Sequence, residues 1–157
     1  MDFTFSLVNF EYYLLIFTRI AAFMFVAPIF GQEGVPALSK IGISGGLAIM
    51  ILYTVEPVET VYQSVIGYSI LVLKEASVGL MIGFAAYVCN AIILFAGNLI
   101  DMDIGISMAQ EFDPTMRTQV SITGNMYNYF MMIFLFITNM YQYLIRAVAD
   151  SFVLIPL

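Results

Sequence analysis

The feature that most limits what this chain can fold into is a long apolar run from Ala76 to Ile100, which contains no acidic or basic side chain. A helix of about 20 apolar residues is long enough to cross the hydrocarbon core of a bilayer. Hydrophobic residues make up 62% of the 157-residue chain and charged residues 10%, against roughly 45–50% and about 25% in soluble domains. A water-soluble globule of this size would expose large apolar patches. The sequence therefore predicts a membrane protein.

The other apolar stretches are separated by residues that end helices. Pro28 and Gly31 close the first stretch, a polar turn at 31–36 leads to the second, and Glu56-Pro57 closes that one, which is typical of a helical hairpin. The polar segment 101–119 is not suited to lipid. We predict an all-α fold of integral-membrane helical hairpins. We also expect that the first helix is not cleaved off as a secretory signal, since acidic Asp2 stands where such a signal carries a positive charge. Lys74-Glu75 interrupts the apolar sequence between the third stretch and the longest one. The other stretches are Tyr12–Phe30, Ile41–Val55, Val61–Leu73 and Val120–Ile145.

Charge and residue usage exclude several classes of function. The net charge is −6 with only 5 Lys and Arg, so the chain lacks the basic surface that nucleic acids require. Histidine is absent and Cys89 is the single cysteine, which argues against a zinc site, an internal disulfide and histidine catalysis. We interpret Asp101 and Asp103 as residues on different faces of a helix. We interpret Glu56 and Glu59, which flank Pro57, as part of a solvated loop. We predict no catalytic, cofactor-binding or metal-binding residues and no enzyme.

Charged side chains inside or between the apolar stretches need partners. Arg19, Lys74, Glu75 and Arg146 lie there, where an isolated charge costs at least a few kcal/mol. The basic residues are not gathered in any loop, so the positive-inside rule gives no orientation. We predict that Arg19 pairs with a carboxylate of this chain or of a neighbouring subunit, with snorkelling to the headgroups as the alternative.

Small and polar residues form a stripe along the longest stretch. At 100° per residue they fall on one face, and Gly79-x-x-x-Gly83 within it is a motif of close helix packing, as is Gly42-x-x-x-Gly46 on the second stretch. We interpret the stripe as a packing face, with the lining of a polar pathway as the alternative. Its members are Glu75, Gly79, Gly83, Ala86, Asn90, Gly97 and Asp101.

The segment before Asp113-Pro114 is predicted to lie in or beside a loop. An Asp followed by Pro is typical of a helix start, so the structure before it must break. Non-helical backbone at membrane depth requires a protein interior or a water-filled cavity around it. The loop is placed at about Ile104 to Phe112.

Ten short segments, in this order and spacing, resemble those of one family. They are Arg19; Ala27-Pro28-Ile29-Phe30-Gly31; Val35-Pro36 before Lys40; Glu75 with Gly79 and Gly83; Ala96 to Asp101; Gly105 to Ala109; Asp113-Pro114; Arg146-Ala147; Asp150-Ser151-Phe152; and Ile155-Pro156-Leu157. The chain thereby resembles the FliR family of type III secretion export-gate subunits, which has a flagellar and a virulence branch. Two departures are Met140-Tyr141-Gln142, where members often carry Gly-His-His, and Met108 with Glu111, where some carry Phe.

The resemblance implies one copy of this subunit assembled with several copies of FliP and FliQ, and with FlhB nearby. The gate would be a cone of kinked, obliquely stacked hairpins in the bacterial inner membrane at the flagellar basal body, and would pass unfolded flagellar proteins. Members are longer, so a single export-gate domain lacking its C-terminal part is expected over residues 1–157. The alternatives are a virulence secretion subunit and a small-solute or ion transporter subunit.

A pore seal is predicted in the loop before the helix start. Such a gate needs a deformable apolar constriction, and flexible Met with bulky Phe suits it, because hydrophobic constrictions exclude ions by dewetting. We predict Met108 and Phe112 as the seal, Gly105 as its flexible point and Asp113-Pro114 as its anchor. The alternative is that Met108 and Phe112 pack between helices.

Overall fold

The regular structure of the described residues is entirely helical. The computed structural model describes residues 7–31, 34–54, 65–105 and 121–156, with side chains from Phe10 onward. The predicted all-α class is confirmed. The helices within these ranges are α1 Leu7–Val26, α2 Ala37–Leu52, α3 Val65–Ile104, α4 Ile122–Ile137 and α5 Met140–Leu154.

The helix ends follow the sequence signals at proline and at caps. α1 ends before Pro28, and the turn after it is closed by the Gly31 N–H, which donates to the Ala27 carbonyl at 2.6 Å. α2 begins directly after Pro36, which fits the restricted φ of that residue. Proline therefore marked these helix ends more closely than the limits of the apolar stretches did.

Two of the sequence boundaries differ from the structure. The stretches that we separated at Lys74-Glu75 form one continuous helix, α3, of 40 residues, because a charged pair costs solvation without breaking backbone hydrogen bonds. Conversely, the last stretch is divided: Thr138 and Asn139 separate α4 from α5, and Asn139 has a φ of 55°. Asn tolerates this left-handed conformation better than most residues, and it ends a helix.

The chain divides into two compact units, residues 1–85 with 143–157, and residues 86–142. The core of the first unit is built mainly by α1, whose buried side chains pack with those of α2 and α5. Each fully buried large aliphatic or aromatic side chain contributes roughly 1.5–3 kcal/mol. The buried members include Ile16, Ile20, Phe23 and Met24 of α1, Ala48 and Ile51 of α2, and Val148 and Phe152 of α5.

In the second unit, the C-terminal part of α3 packs against the start of α4 through glycine. A Cβ added to Gly97 would lie 2.2 Å from the Gly124 Cα, so the two backbones are in direct contact. Continuing along both helices, Asp101 lies beside Ser121 at 2.7 Å. From the first contact to the second, the residue number rises along α3 and falls along α4, so the two helices are antiparallel.

Much of the apolar surface of α3 is uncovered within each unit. Met81, Ile92 and Phe95 are exposed by 70%, 63% and 64%. Within the described ranges, α3 is the one unbroken helix that is long and apolar enough to cross a membrane, and α4 with α5 would be a second span if the broken pair counts as one. Uncovered apolar surface of this kind suits lipid or partner subunits. The single-domain organisation stays a prediction.

Candidate functional site: a buried ion pair and a carboxylate cap

A buried ion pair joins α1 to α3 in the first unit. Arg19 Nε donates to Glu75 Oε2 at 2.6 Å, and the two side chains are 0% and 1% exposed. The guanidinium also donates to Ser151 Oγ at 3.2 Å and to the Ile155 carbonyl at 3.0 Å, and its Cζ lies 4.1 Å from the centroid of the Phe152 ring. One side chain of α1 thus holds α3 and the end of α5.

The fork of the guanidinium explains why arginine suits this position. It presents five N–H donors in a plane, and three residues on α3 and at the end of α5 supply acceptors for it. A buried charge is tolerated only when paired and hydrogen-bonded. The carboxylate of Glu75 is only partly hydrogen-bonded, since its Oε1 has no hydrogen-bond partner among the described residues.

The four charges that stood out in the sequence have different surroundings. Lys74 is exposed, and its Nζ donates to the Pro156 carbonyl at 3.0 Å. Cations near the last carbonyls of a helix are favourable, so Lys74 and Arg19 both secure the end of α5. Arg146 is instead exposed and lies 3.8 Å from Asp150, one turn away; such a surface pair contributes about 0–1 kcal/mol.

The glycines of the stripe allow α3 to approach α1. A Cβ on Gly79 would lie 2.0 Å from the Arg19 carbonyl oxygen, and one on Gly83 would lie 3.0 Å from the Phe23 carbonyl oxygen. Both pairs differ by 60 in residue number, 79 − 19 and 83 − 23, so α1 and α3 run parallel here. This close approach brings the carboxylate of Glu75 within reach of Arg19.

The glycines of α2 have different surroundings. A Cβ on Gly42 or Gly46 would meet no described atom within 4 Å, whereas one on Gly45 would lie 3.5 Å from the Tyr13 hydroxyl. That hydroxyl donates to the Gly45 carbonyl at 3.4 Å. Close packing at Gly42 and Gly46 therefore stays a prediction, and sequence reasoning missed Gly45.

A second constellation joins the end of α3 to the start of α4. Asp101 is 3% exposed, and its Oδ2 accepts from the Ser121 hydroxyl at 2.7 Å. The Thr123 N–H points between both carboxylate oxygens at 3.3 Å. Ser121 caps α4 itself, because its Oγ accepts from the Gly124 N–H at 2.8 Å. The sequence singled out Asp101 as a buried charge but missed Ser121, although a Ser before an apolar run is an N-cap signal.

Asn90 is a buried polar residue of the stripe whose side-chain oxygen accepts no hydrogen bond from the described residues. It is 6% exposed, and its Oδ1 has no hydrogen-bond partner among the described residues. Glu75, Gly79 and Gly83 contact α1, whereas Gly97 and Asp101 contact α4. These contacts favour helix packing as the role of the stripe.

Only one residue of the predicted seal lies within the described part of the chain. Gly105 follows α3 with a φ of 83°, and its N–H donates to the Met102 carbonyl at 3.1 Å. This left-handed conformation favours glycine. Met108, Phe112, Asp113 and Pro114 lie outside the described residues, so the seal stays a prediction.

Comparisons with known proteins identify relatives over most of the chain. Residues 10–157 match the family described as "Bacterial export proteins, family 1". The chain is 33% identical over 143 residues to the flagellar biosynthetic protein FliR of Bacillus subtilis, covering 91% of this chain and 55% of that protein. It is 34% identical over 140 residues to FliR of Buchnera aphidicola from Acyrthosiphon pisum, covering 88% and 54%. It is 24% identical over 143 residues to FliR of Escherichia coli K12, covering 88% of this chain and 53% of that protein.

The family match over residues 10–157 includes both constellations. The chain spans about half the length of the curated relatives it matches. The order of short motifs that resembled FliR is thus supported by similarity along nearly the entire sequence. The chain belongs to the bacterial export proteins, family 1, and its predicted relationship to FliR is confirmed.

Proposed function

We propose that this chain is a subunit of a flagellar type III protein export gate in the bacterial inner membrane, where it helps to form and seal the pore for unfolded flagellar proteins. The observation that carries the proposal is the family match over residues 10–157. In this role the chain catalyses no reaction, and its single export-gate domain crosses the membrane more than once at the flagellar basal body.

The distribution of apolar and charged side chains supports a membrane subunit that has protein partners. The large apolar residues of α3 and α4 are widely exposed, including Phe95, Phe130 and Phe134 at 64%, 59% and 66%. By contrast, Arg19 and Glu75 are buried and paired. A chain that buries and pairs two charges while it exposes large apolar side chains is suited to lipid and to neighbouring helices. The proposed neighbours are FliP, FliQ and FlhB.

Copurification tests the proposed assembly. Tagged full-length protein is extracted from membranes with mild detergent, and its stoichiometry with FliP and FliQ is measured by native mass spectrometry. We expect a complex that holds one copy of this subunit and several of each partner. Recovery of the subunit alone with a bound solute would favour a transporter, and recovery with virulence secretion subunits would favour the other branch; both would overturn the flagellar proposal.

The seal is proposed to be an apolar constriction formed by Met108 and Phe112, with Gly105 as its flexible point and Asp113-Pro114 as its anchor. Flexible thioether and bulky aromatic side chains can close around a passing chain and still exclude ions in its absence. Gly105 directly follows α3 and has a positive φ, which favours glycine at this position.

Truncation of the two seal residues tests this step. Met108→Ala and Phe112→Ala are combined in the full-length protein, and leakage of small ions is measured in cells and in membrane vesicles that contain the assembled complex. The matched control combines Met81→Ala and Phe95→Ala, which removes the same groups from exposed positions of α3. We expect leakage in the first variant only. A tight membrane in the first variant, with normal assembly, would contradict the seal.

A further inference from the structure

The carboxylate of Asp101 does more than neutralise a helix end. It accepts one hydrogen bond from the Ser121 side chain and one from the Thr123 backbone, across 20 and 22 residues of sequence. α4 already has its own cap, since Ser121 Oγ accepts a hydrogen bond from the Gly124 N–H. The bonds to Asp101 are therefore additional, and their common effect is to tie α3 to α4.

A carboxylate suits this tie better than a neutral acceptor. The first amides of a helix lack intrahelical partners and carry partial positive charge. Asp101 of α3 lies beside the first turn of α4 and is only 3% exposed. Hydrogen bonds to an ionised acceptor are stronger than those between neutral groups. Both carboxylate oxygens lie 3.3 Å from the Thr123 nitrogen.

The contact next to the tie sets its register. Gly97, one turn before Asp101, is in backbone contact with Gly124. The absence of side chains at the two glycines lets the backbones of α3 and α4 pack directly against each other, and the carboxylate holds their adjoining ends. Loss of the carboxylate would consequently release the helix ends and leave the helix pair in place.

We propose that Asp101 is a positioning residue, whose bonds to Ser121 and Thr123 fix the separation between the end of α3 and the start of α4. These two ends bracket the segment in which the seal is proposed, so the link to sealing rests on the proposed function. Removing hydrogen bonds to a charged acceptor lowers the ratio of held to released ends by on the order of tenfold or more.

Disulfide formation tests the geometry independently of function. Asp101→Cys and Ser121→Cys are introduced together into the full-length protein, with Cys89→Ser to remove the native thiol. Membranes that contain the assembled complex are oxidised with copper phenanthroline, and the remaining free thiols are counted with a maleimide label. The control pair is Asp103→Cys with Ser121→Cys, because Asp103 is exposed on the same helix end. Because the contact between Gly97 and Gly124 leaves the helix pair in place without the carboxylate, rapid oxidation of the first pair alone is expected. Equal oxidation of both pairs, or oxidation of neither, would contradict the proximity of the two ends on which the proposal depends.

Leakage of small ions tests the consequence. We expect Asp101→Ala to leak, Asp101→Asn to leak less because the amide keeps a carbonyl acceptor, and Asp103→Ala to remain tight. The oxidised 101/121 cysteine pair should be tight and should leak after reduction, since a covalent link then replaces the hydrogen bonds.

The outcomes separate this inference from the proposed seal. If Met108→Ala with Phe112→Ala leaks while Asp101→Ala stays tight, the positioning role is wrong. If the Met108 and Phe112 variant is itself tight, the seal is wrong. The position of the two ends is then read from spin labels on Asp103→Cys and Ile122→Cys in the Cys89→Ser background, which leave Asp101 in place. The distance distribution between the labels should widen in Asp101→Ala, and an unchanged distribution would overturn the positioning role.

Discussion

Breaking the buried ion pair from either side should destabilise the first unit by different amounts. Glu75→Leu leaves the guanidinium with its bonds to Ser151 and Ile155 and its contact with Phe152. Removing one partner of a buried pair costs about 3–5 kcal/mol, and the remaining bonds place this variant at the low end of that range.

Arg19→Leu is expected to be the more damaging change. It removes the one described hydrogen bond of Glu75, whose Oε1 already has no partner, and it leaves two acceptors near the end of α5 without their donor. At roughly 0.5–1.5 kcal/mol for each lost bond to α5, Arg19→Leu should exceed Glu75→Leu by about 1–3 kcal/mol. The double variant removes both charges and should cost less than the sum of the single variants.

The assay is a comparison of thermal stability on the assembled complex. Detergent-solubilised complexes that carry each single variant, the double variant and the isosteric Glu75→Gln are heated in steps, and the intact fraction is measured on native gels. The expected order of increasing loss is Glu75→Gln, Glu75→Leu, Arg19→Leu. Additive losses in the double variant, or an Arg19→Leu complex as stable as the wild type, would refute the coupling between the two charges.

Three further substitutions, with one control, probe the helix contacts. Gly79→Ala should prevent assembly on native gels because its Cβ would lie 2.0 Å from a backbone oxygen of α1, whereas Gly34→Ala, whose Cβ would meet no described atom within 4 Å, should assemble normally. Gly97→Ala should likewise separate α3 from α4, since its Cβ would lie 2.2 Å from backbone; unchanged disulfide formation between cysteines at 101 and 121 would contradict this. Ser121→Ala should destabilise the second unit by about 1 kcal/mol through loss of the cap of α4 and by about 1.5–3 kcal/mol more through loss of the hydrogen bond to the Asp101 carboxylate. An unchanged melting profile would show that both bonds are dispensable.

Prediction from sequence succeeded where one local signal decides the outcome. Helical class follows from apolar composition, because a backbone without access to water must satisfy its hydrogen bonds within each segment. Pro28 and Pro36 located helix ends. The division at Lys74-Glu75 was wrong because we used polarity as a boundary signal, although a charge inside a helix changes its surroundings and not its backbone.

The candidate site was only partly predictable for the same reason. Arg19, Glu75 and Asp101 stand out in the sequence, since a charge among apolar residues requires an explanation. Ser121 and Ser151 could not be recognised as partners of a charge, because the sequence does not show which helix brings a charge to a serine. Asn139 showed no clear signal for the break between α4 and α5.

The sequence by itself determined that this chain is helical, suited to a membrane and a member of a bacterial export family, since composition, helix-ending residues and ordered motifs are properties of the chain alone. Tertiary structure decided which charges meet. Arg19 reaches Glu75 across 56 residues and Ser151 across 132, and Asp101 reaches Ser121 across 20. Periodicity assigns a residue to a face of its own helix, but the partner of that face depends on how closely two backbones approach, which Gly79 and Gly97 permit by lacking a side chain.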